Sequence, residues 1–163
     1  MFPATKRCLK LLRVSWIPFF NMKRDYANYQ VSLKLYLRKG NKALFLKLSD
    51  NDFWDLPGGR IDNVETKTPL KKILDREVKE ELGTKVKYKL GKPLFQFRRE
   101  VRRRGIYNFL TVYEAKYLSG EIKLSSEHNS YKWINPKTHK FMKTDFMSAE
   151  EYGTFMKYFL RRV

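Results

Sequence analysis

An α+β layered domain, one domain deep, is the fold class this sequence predicts, and three observations predict it. Segments that alternate apolar and polar residues fill the stretch from 29 to 54 and resume after residue 86. A single segment with apolar residues at three- and four-residue steps lies between them, and a second closes the chain. The 163 residues suit one domain with a real core, and a 42% hydrophobic, 15% aromatic composition belongs to folded chains.

The elements follow in order. Residues 1–28 read as a basic extension, carrying +5 of the formal +18 charge and no acid before Asp25. Their apolar run is broken by Arg13 and Pro18 and is too short for a membrane span. Three readings stay open: a segment appended to the domain, an organelle transit peptide, or a start at Met22. The domain itself is expected over 29–163. Val31, Leu33, Leu35 and Leu37 alternate with Ser32, Lys34, Tyr36 and Arg38 as a half-buried strand, and Lys39–Lys42 turns it into a second strand over 43–48. Strands are further expected at 86–90, 94–98, 107–115, 121–124 and 131–134. Ser148 and Glu151 form a capping box ahead of a terminal amphipathic helix that runs through Phe155 and Phe159 to Val163.

The central helix carries the chemistry. Thr68 is its expected N-cap with Pro69 at the first helical position, and Gly83 ends it. Leu70, Ile73, Leu74, Val78 and Leu82 mark its apolar face. At about 100° per residue, Glu77, Glu80 and Glu81 share one arc, with Glu81 among Leu70, Ile73 and Leu74, while Lys72, Arg76 and Lys79 point the other way. Carboxylates packed beside a core face lose hydration and repel one another unless a cation compensates them. Hard oxygen ligands at this density suit magnesium or manganese.

Trp54-Asp55-Leu56-Pro57-Gly58-Gly59, then Glu65, then Arg76-Glu77-Val78-Lys79-Glu80-Glu81-Leu82-Gly83 resembles the signature of the Nudix (MutT-like) hydrolases. Ten residues separate Glu65 from Arg76, three more than in the family pattern, which leaves the spacing of the glutamates intact. The resemblance implies an α/β/α sandwich around a mixed sheet. It implies that Glu80 and Glu81 are metal ligands, that the Gly58 carbonyl reaches the same ion, and that Glu77 is a ligand or general base. Gly59, Glu65 and Arg76 would support the site, Arg76 through an ion pair. The late Glu127-His128 pair resembles a family feature in which a glutamate outside the box joins the metal or acts as base; His128 itself reads as structural.

Arg98, Arg102, Arg103 and Arg104 form the densest basic run, between two strands, and guanidinium groups grip phosphates bidentately. A solvated hairpin tip explains the same run. The overall positive charge points to anionic partners: a phosphorylated nucleotide-type small molecule or an RNA 5′ end. One cysteine, Cys8, excludes an internal disulfide framework and suits the cytoplasm. The leading functional expectation is therefore a Mg2+- or Mn2+-dependent hydrolase that cleaves the phosphoanhydride bond of a nucleoside diphosphate linked to another moiety. The competing class is a catalytically inactive nucleotide- or RNA-binding module on the same scaffold.

Overall fold

Strand β1 (Tyr29–Lys39) and strand β2 (Lys42–Leu48) start as a hairpin and then part, and the gap between them determines where the functional residues meet. The computed structural model describes residues 24–101 and 105–160. Only Arg38 and Lys39 of β1 pair with Ala43 and Lys42 of β2. Further along, β2 pairs with the short strand β3 (Trp54–Asp55), while β1 takes its partners from the chain just after β3. Leu35 N–H donates to the Pro57 carbonyl at 2.8 Å, Leu33 N–H to Gly59 at 2.9 Å, and Ile61 N–H to Val31 at 2.9 Å. The Pro-Gly-Gly turn is thereby stitched into the sheet as a substitute strand, satisfying backbone groups that would otherwise be buried and unpaired.

The other edge of β1 pairs in parallel with β5 (Ile106–Ser119), and β5 pairs antiparallel with β4 (Lys87–Val101). Strand β6 (His128–Ile134) closes the far side of β2, giving a mixed sheet of six strands. Helix α1 (Leu70–Leu82) covers one face and helix α2 (Ala149–Phe159) the other, an α/β/α sandwich in a single domain. Leu33, Leu35, Leu37, Leu44 and Leu46 pack against Ile73, Leu74, Val78 and Leu82 of α1. Tyr36, Phe45, Phe97 and Leu110 meet Phe155 and Phe159 of α2 in an aromatic-rich second core. No helix among the described residues is long and apolar enough to cross a membrane.

Several sequence expectations need correction. Strand β1 is buried on both faces, not one: Tyr36 is covered by Tyr158 and Phe159 at the end of α2, Ser32 by Asn108, and Lys34 by Asp55 and the Gly58 turn. The segments expected as separate strands at 86–90 and 94–98 form one strand, since Gly91 and Pro93 are absorbed as register irregularities in the pairing with β5. Residues 121–124 are not a strand, although their chain is tied down by Lys123 N–H to the Leu82 carbonyl at 2.9 Å. Pro69 stands at the N-cap with extended backbone, so α1 begins one residue later than expected, and Leu70 is exposed. Half of the capping box at α2 forms: Ser148 Oγ accepts from Glu151 N–H at 3.1 Å, while the Glu151 carboxylate turns inward to Arg99. The readings of residues 1–23, of Arg102, Arg103 and Arg104, and of the helix end at 161–163 lie outside the described residues.

Candidate active site

The turn at 57–59 is built by two glycines needed for different reasons. Gly58 has φ +118°, and any side chain there would collide with the Leu33 carbonyl. At Gly59 a Cβ would come within 2.5 Å of the Glu77 carboxylate, so the bare backbone is what lets that acid lie against the turn. Helix α1 faces the turn across this contact. Gly58 N–H donates to Glu81 Oε2 at 2.6 Å, which fixes the position of the second acid.

Arg76 lies over the site instead of pointing away from it as helical geometry alone suggests. Its Nε and Nη2 grip the two oxygens of Glu65 at 2.7 and 2.8 Å, Nη2 lies 2.9 Å from Glu77 Oε1, and Nη1 meets Glu80 Oε2 at 2.8 Å. One guanidinium thus orients three carboxylates, the planar fork supplying the directions. Glu65 also accepts from Asp62 N–H at 3.0 Å, so the longer loop before α1 does not carry this acid away from its partner.

Glu127 arrives from the other side. Ser125 N–H donates to the Glu81 carbonyl at 3.2 Å, and Ser49 N–H donates to the carbonyl of Glu127 at 3.0 Å. These bonds moor the segment before β6 to the end of α1 and to the loop after β2. Glu81, Glu127 and His128 then each offer one ligand atom within 4.8 Å of one another. His128 is buried, with Nε2 4.0 Å from Glu81 Oε1 and Nδ1 without a hydrogen-bond partner among the described residues.

Electrostatics fit a cation at this cluster. Burial drives the Glu81 carboxyl up to about 8, against the pull of Lys34 and the Gly58 N–H, and nearby Asp55 and Glu77 add to the rise. Burial also raises Glu77, opposed by Arg76 and Lys34. His128 is lowered by burial and by Lys34, so it offers neutral imidazole nitrogens. Two carboxylates, Glu81 among them strained toward protonation, beside a neutral imidazole are a donor set that manganese or magnesium satisfies.

Residues that the sequence reading missed sit beneath the acids. Lys34 Nζ is 3.0 Å from Asp55 Oδ2 and donates to the Gly58 carbonyl. Arg99 reaches Asp55 at 3.5 Å and pairs with Glu151. Burial opposes ionisation of Asp55, yet Lys34 and Arg99 together hold it down at about 2. Glu151, fully buried, is pushed up to about 7. Lys34, Asp55 and Arg99, with Ser32 and Asn108, form the floor of a cleft of about 600 Å³ whose rim holds Arg60, Arg76, Glu77, Glu80, Glu81 and Glu127. Of the basic run, Arg98 is outside the cleft and pairs with Glu150 at 3.3 Å on the opposite face of β4 from Arg99.

No family model and no curated protein matches the sequence. Solved structures do. The MutT protein from Methanosarcina mazei Go1 superposes with a TM-score of 0.66 at 26% identity over 83% of this chain and 96% of its own. A MutT NUDIX hydrolase from Burkholderia pseudomallei gives 0.61 at 21% identity, covering 80% of this chain and 98% of its own. An ADP-ribose pyrophosphatase from Streptococcus suis gives 0.56 at 17% identity over 83% and 96%. With the box residues gathered on one cleft of the same fold, the chain is similar to the MutT/Nudix hydrolases in both architecture and site.

Proposed function

We propose that this Nudix pyrophosphohydrolase is divalent-metal dependent and cleaves the phosphoanhydride bond of a nucleoside diphosphate linked to another moiety. The observation that carries the reading is the convergence of Glu77, Glu80, Glu81 and Glu127 on a cleft that also presents Arg60, Arg76 and Arg99. Acids alone would repel a phosphorylated substrate, and bases alone would bind it without reaction.

Glu80, Glu81 and Glu127 would hold the ion, with Mg2+ or Mn2+ fitting their oxygen donors. When bound, such an ion neutralises phosphate oxygens and makes water more acidic. Glu77 is the proposed general base or a further ligand; its carboxylate is buried against Gly59 and aimed by Arg76. Glu127 is the alternative base, being the exposed acid of the cluster. Arg76 does not touch substrate in this reading but holds Glu65, Glu77 and Glu80 in place. Arg99 and Arg60 face the cleft and supply cationic contacts for phosphate. Arg102, Arg103 and Arg104 would extend that grip toward longer polyphosphates or an RNA 5′ end. The fold 29–163 would act in the cytoplasm, with residues 1–28 an extension outside it.

The test is a phosphate-release screen of the purified chain on nucleoside triphosphates, dinucleoside polyphosphates, ADP-ribose-type sugars and triphosphorylated RNA. Turnover should vanish in excess chelator and return with Mg2+ or Mn2+. Undiminished turnover in chelator removes the metal from the reading. Failure to cleave any of these substrates in the presence of metal favours the binding module instead.

A further inference from the structure

We propose that Lys34 is a resident cation of the active site, its ammonium occupying the place beside the Gly58 carbonyl that a divalent ion would otherwise take. The proposal rests on the hydrolase reading, because it concerns how that same site is charged.

Lys34 lies at the middle of β1 with 7% of its surface exposed, an unusual place for a long cationic side chain. Its Nζ is 3.0 Å from Asp55 Oδ2 and donates to the Gly58 carbonyl. The N–H of Gly58 donates in turn to Glu81 Oε2 at 2.6 Å. Ammonium, peptide group and carboxylate therefore form one continuous chain of hydrogen bonds from the sheet to α1. Asp55 is shared with Arg99, so Lys34 is not simply the counter-ion of one acid.

A divalent ion on the Gly58 oxygen would be the near neighbour of this ammonium in a site screened from water. Like charges there repel far more strongly than at an exposed surface. The ammonium also uses one of the two lone-pair directions of that oxygen. The proposal departs from the role that the family resemblance implies for the Gly58 carbonyl. It leaves the outer carboxylates, Glu80, Glu81 and Glu127, as the place for a metal, and gives the inner side of the cleft a fixed single positive charge for substrate phosphate.

Mn2+ alone, titrated into the full chain and into Lys34→Met and Lys34→Arg, tests this by calorimetry and by the free Mn2+ signal in electron paramagnetic resonance. Lys34→Met should bind an additional Mn2+ ion per chain, and Lys34→Arg should keep the parental number. Asp55 retains Arg99 and the Leu56 N–H in both variants. Should Lys34→Met fail to fold, the unaltered protein decides: the 15Nζ resonance of Lys34 should persist unshifted at saturating Mg2+. Equal Mn2+ stoichiometry in all three proteins, or loss of that resonance on adding Mg2+, overturns the proposal. Where the parent still hydrolyses substrate with Mg2+, only the proposal falls. A parent that neither binds Mn2+ nor cleaves any substrate overturns the hydrolase reading as well.

Discussion

On the α1 side of the cleft, Glu77 and Glu80 share the Arg76 guanidinium with Glu65, and Glu81, outside its reach, accepts from the Gly58 N–H. On the α2 side, Asp55 and Glu151 are enclosed with Lys34 and Arg99, each acid in contact with a cation. The first group holds Glu81 near 8 and the second holds Asp55 near 2, from carboxyl groups that start within a unit of each other. Burial is common to both, so the difference lies in where the cations stand. Asp55, with two cations against it, stays ionised, whereas Glu81, with no cation in contact, and Glu151, with Arg99 alone, are raised by burial.

The largest expected effect comes from removing an uncompensated acid. Glu81→Gln should lower kcat by about a hundredfold or more, the usual scale for losing an essential acid–base group or ligand. The same change should stabilise the metal-free protein at neutral and higher pH. The folded-state value of about 8 stands above the unreacted 4.5, so the folded protein keeps a proton that the unfolded chain has released. The contribution of this group to stability is therefore best below about pH 4.5, falls as pH rises, and is fully lost above about 8. Chemical denaturation in chelator across this range should show that slope in the parent and a reduced one in Glu81→Gln. An unchanged slope would show that Glu81 is not the acid strained by burial.

Breaking the compensated floor should do the reverse. Arg99→Met leaves Glu151 without its cation and should cost about 3 kcal/mol in urea denaturation, the scale for opening a buried pair. Parental stability for that variant would erase the distinction between the two groups. Arg76→Ala should be milder for stability, since the side chain is 30% exposed, but should weaken Mn2+ binding by about tenfold because three carboxylates lose their orientation. Calorimetric affinity equal to the parent's would assign the clamp a purely structural role. The smallest effect belongs to Arg98→Ser, which removes an exposed pair with Glu150 and should leave the urea midpoint nearly unchanged. A large loss of activity in that variant would restore Arg98 to the phosphate-binding set.

The difference between Arg98 and Arg99 also marks how far the sequence could be read. The box on α1 and its Gly-Gly turn are legible because their spacing along the chain is itself the signal, and Glu127 only through the resemblance of the Glu127-His128 pair. The strands of the hairpin and the apolar face of each helix are legible from periodicity, while the burial of β1 on both faces is not. Lys34 and Arg99 are not legible, since each sits in a run of similar residues and only the tertiary layer decides which face is covered. Lys34 reads as the solvent side of a half-buried strand until Asp55 and the Gly58 turn fold against it. Glu151 is masked by a local pattern: a capping-box acid looks fully explained by its own helix, yet its carboxylate belongs to a strand 52 residues away in sequence. The single strand across Gly91 and Pro93 escapes for a related reason, because local breakers lose to long-range pairing with β5.

The seam between β1 and β2 makes the middle of the molecule a listening post for its rim. Leu33 and Leu35 lend their amide hydrogens to Gly59 and Pro57, where a regular sheet would lend them to another strand. Whatever shifts the turn must stretch those two bonds. Two deeply enclosed leucine amides thus become natural reporters, and their hydrogen-exchange rates should slow when a ligand steadies the turn and quicken when Gly58 is replaced, without any label placed in the cleft.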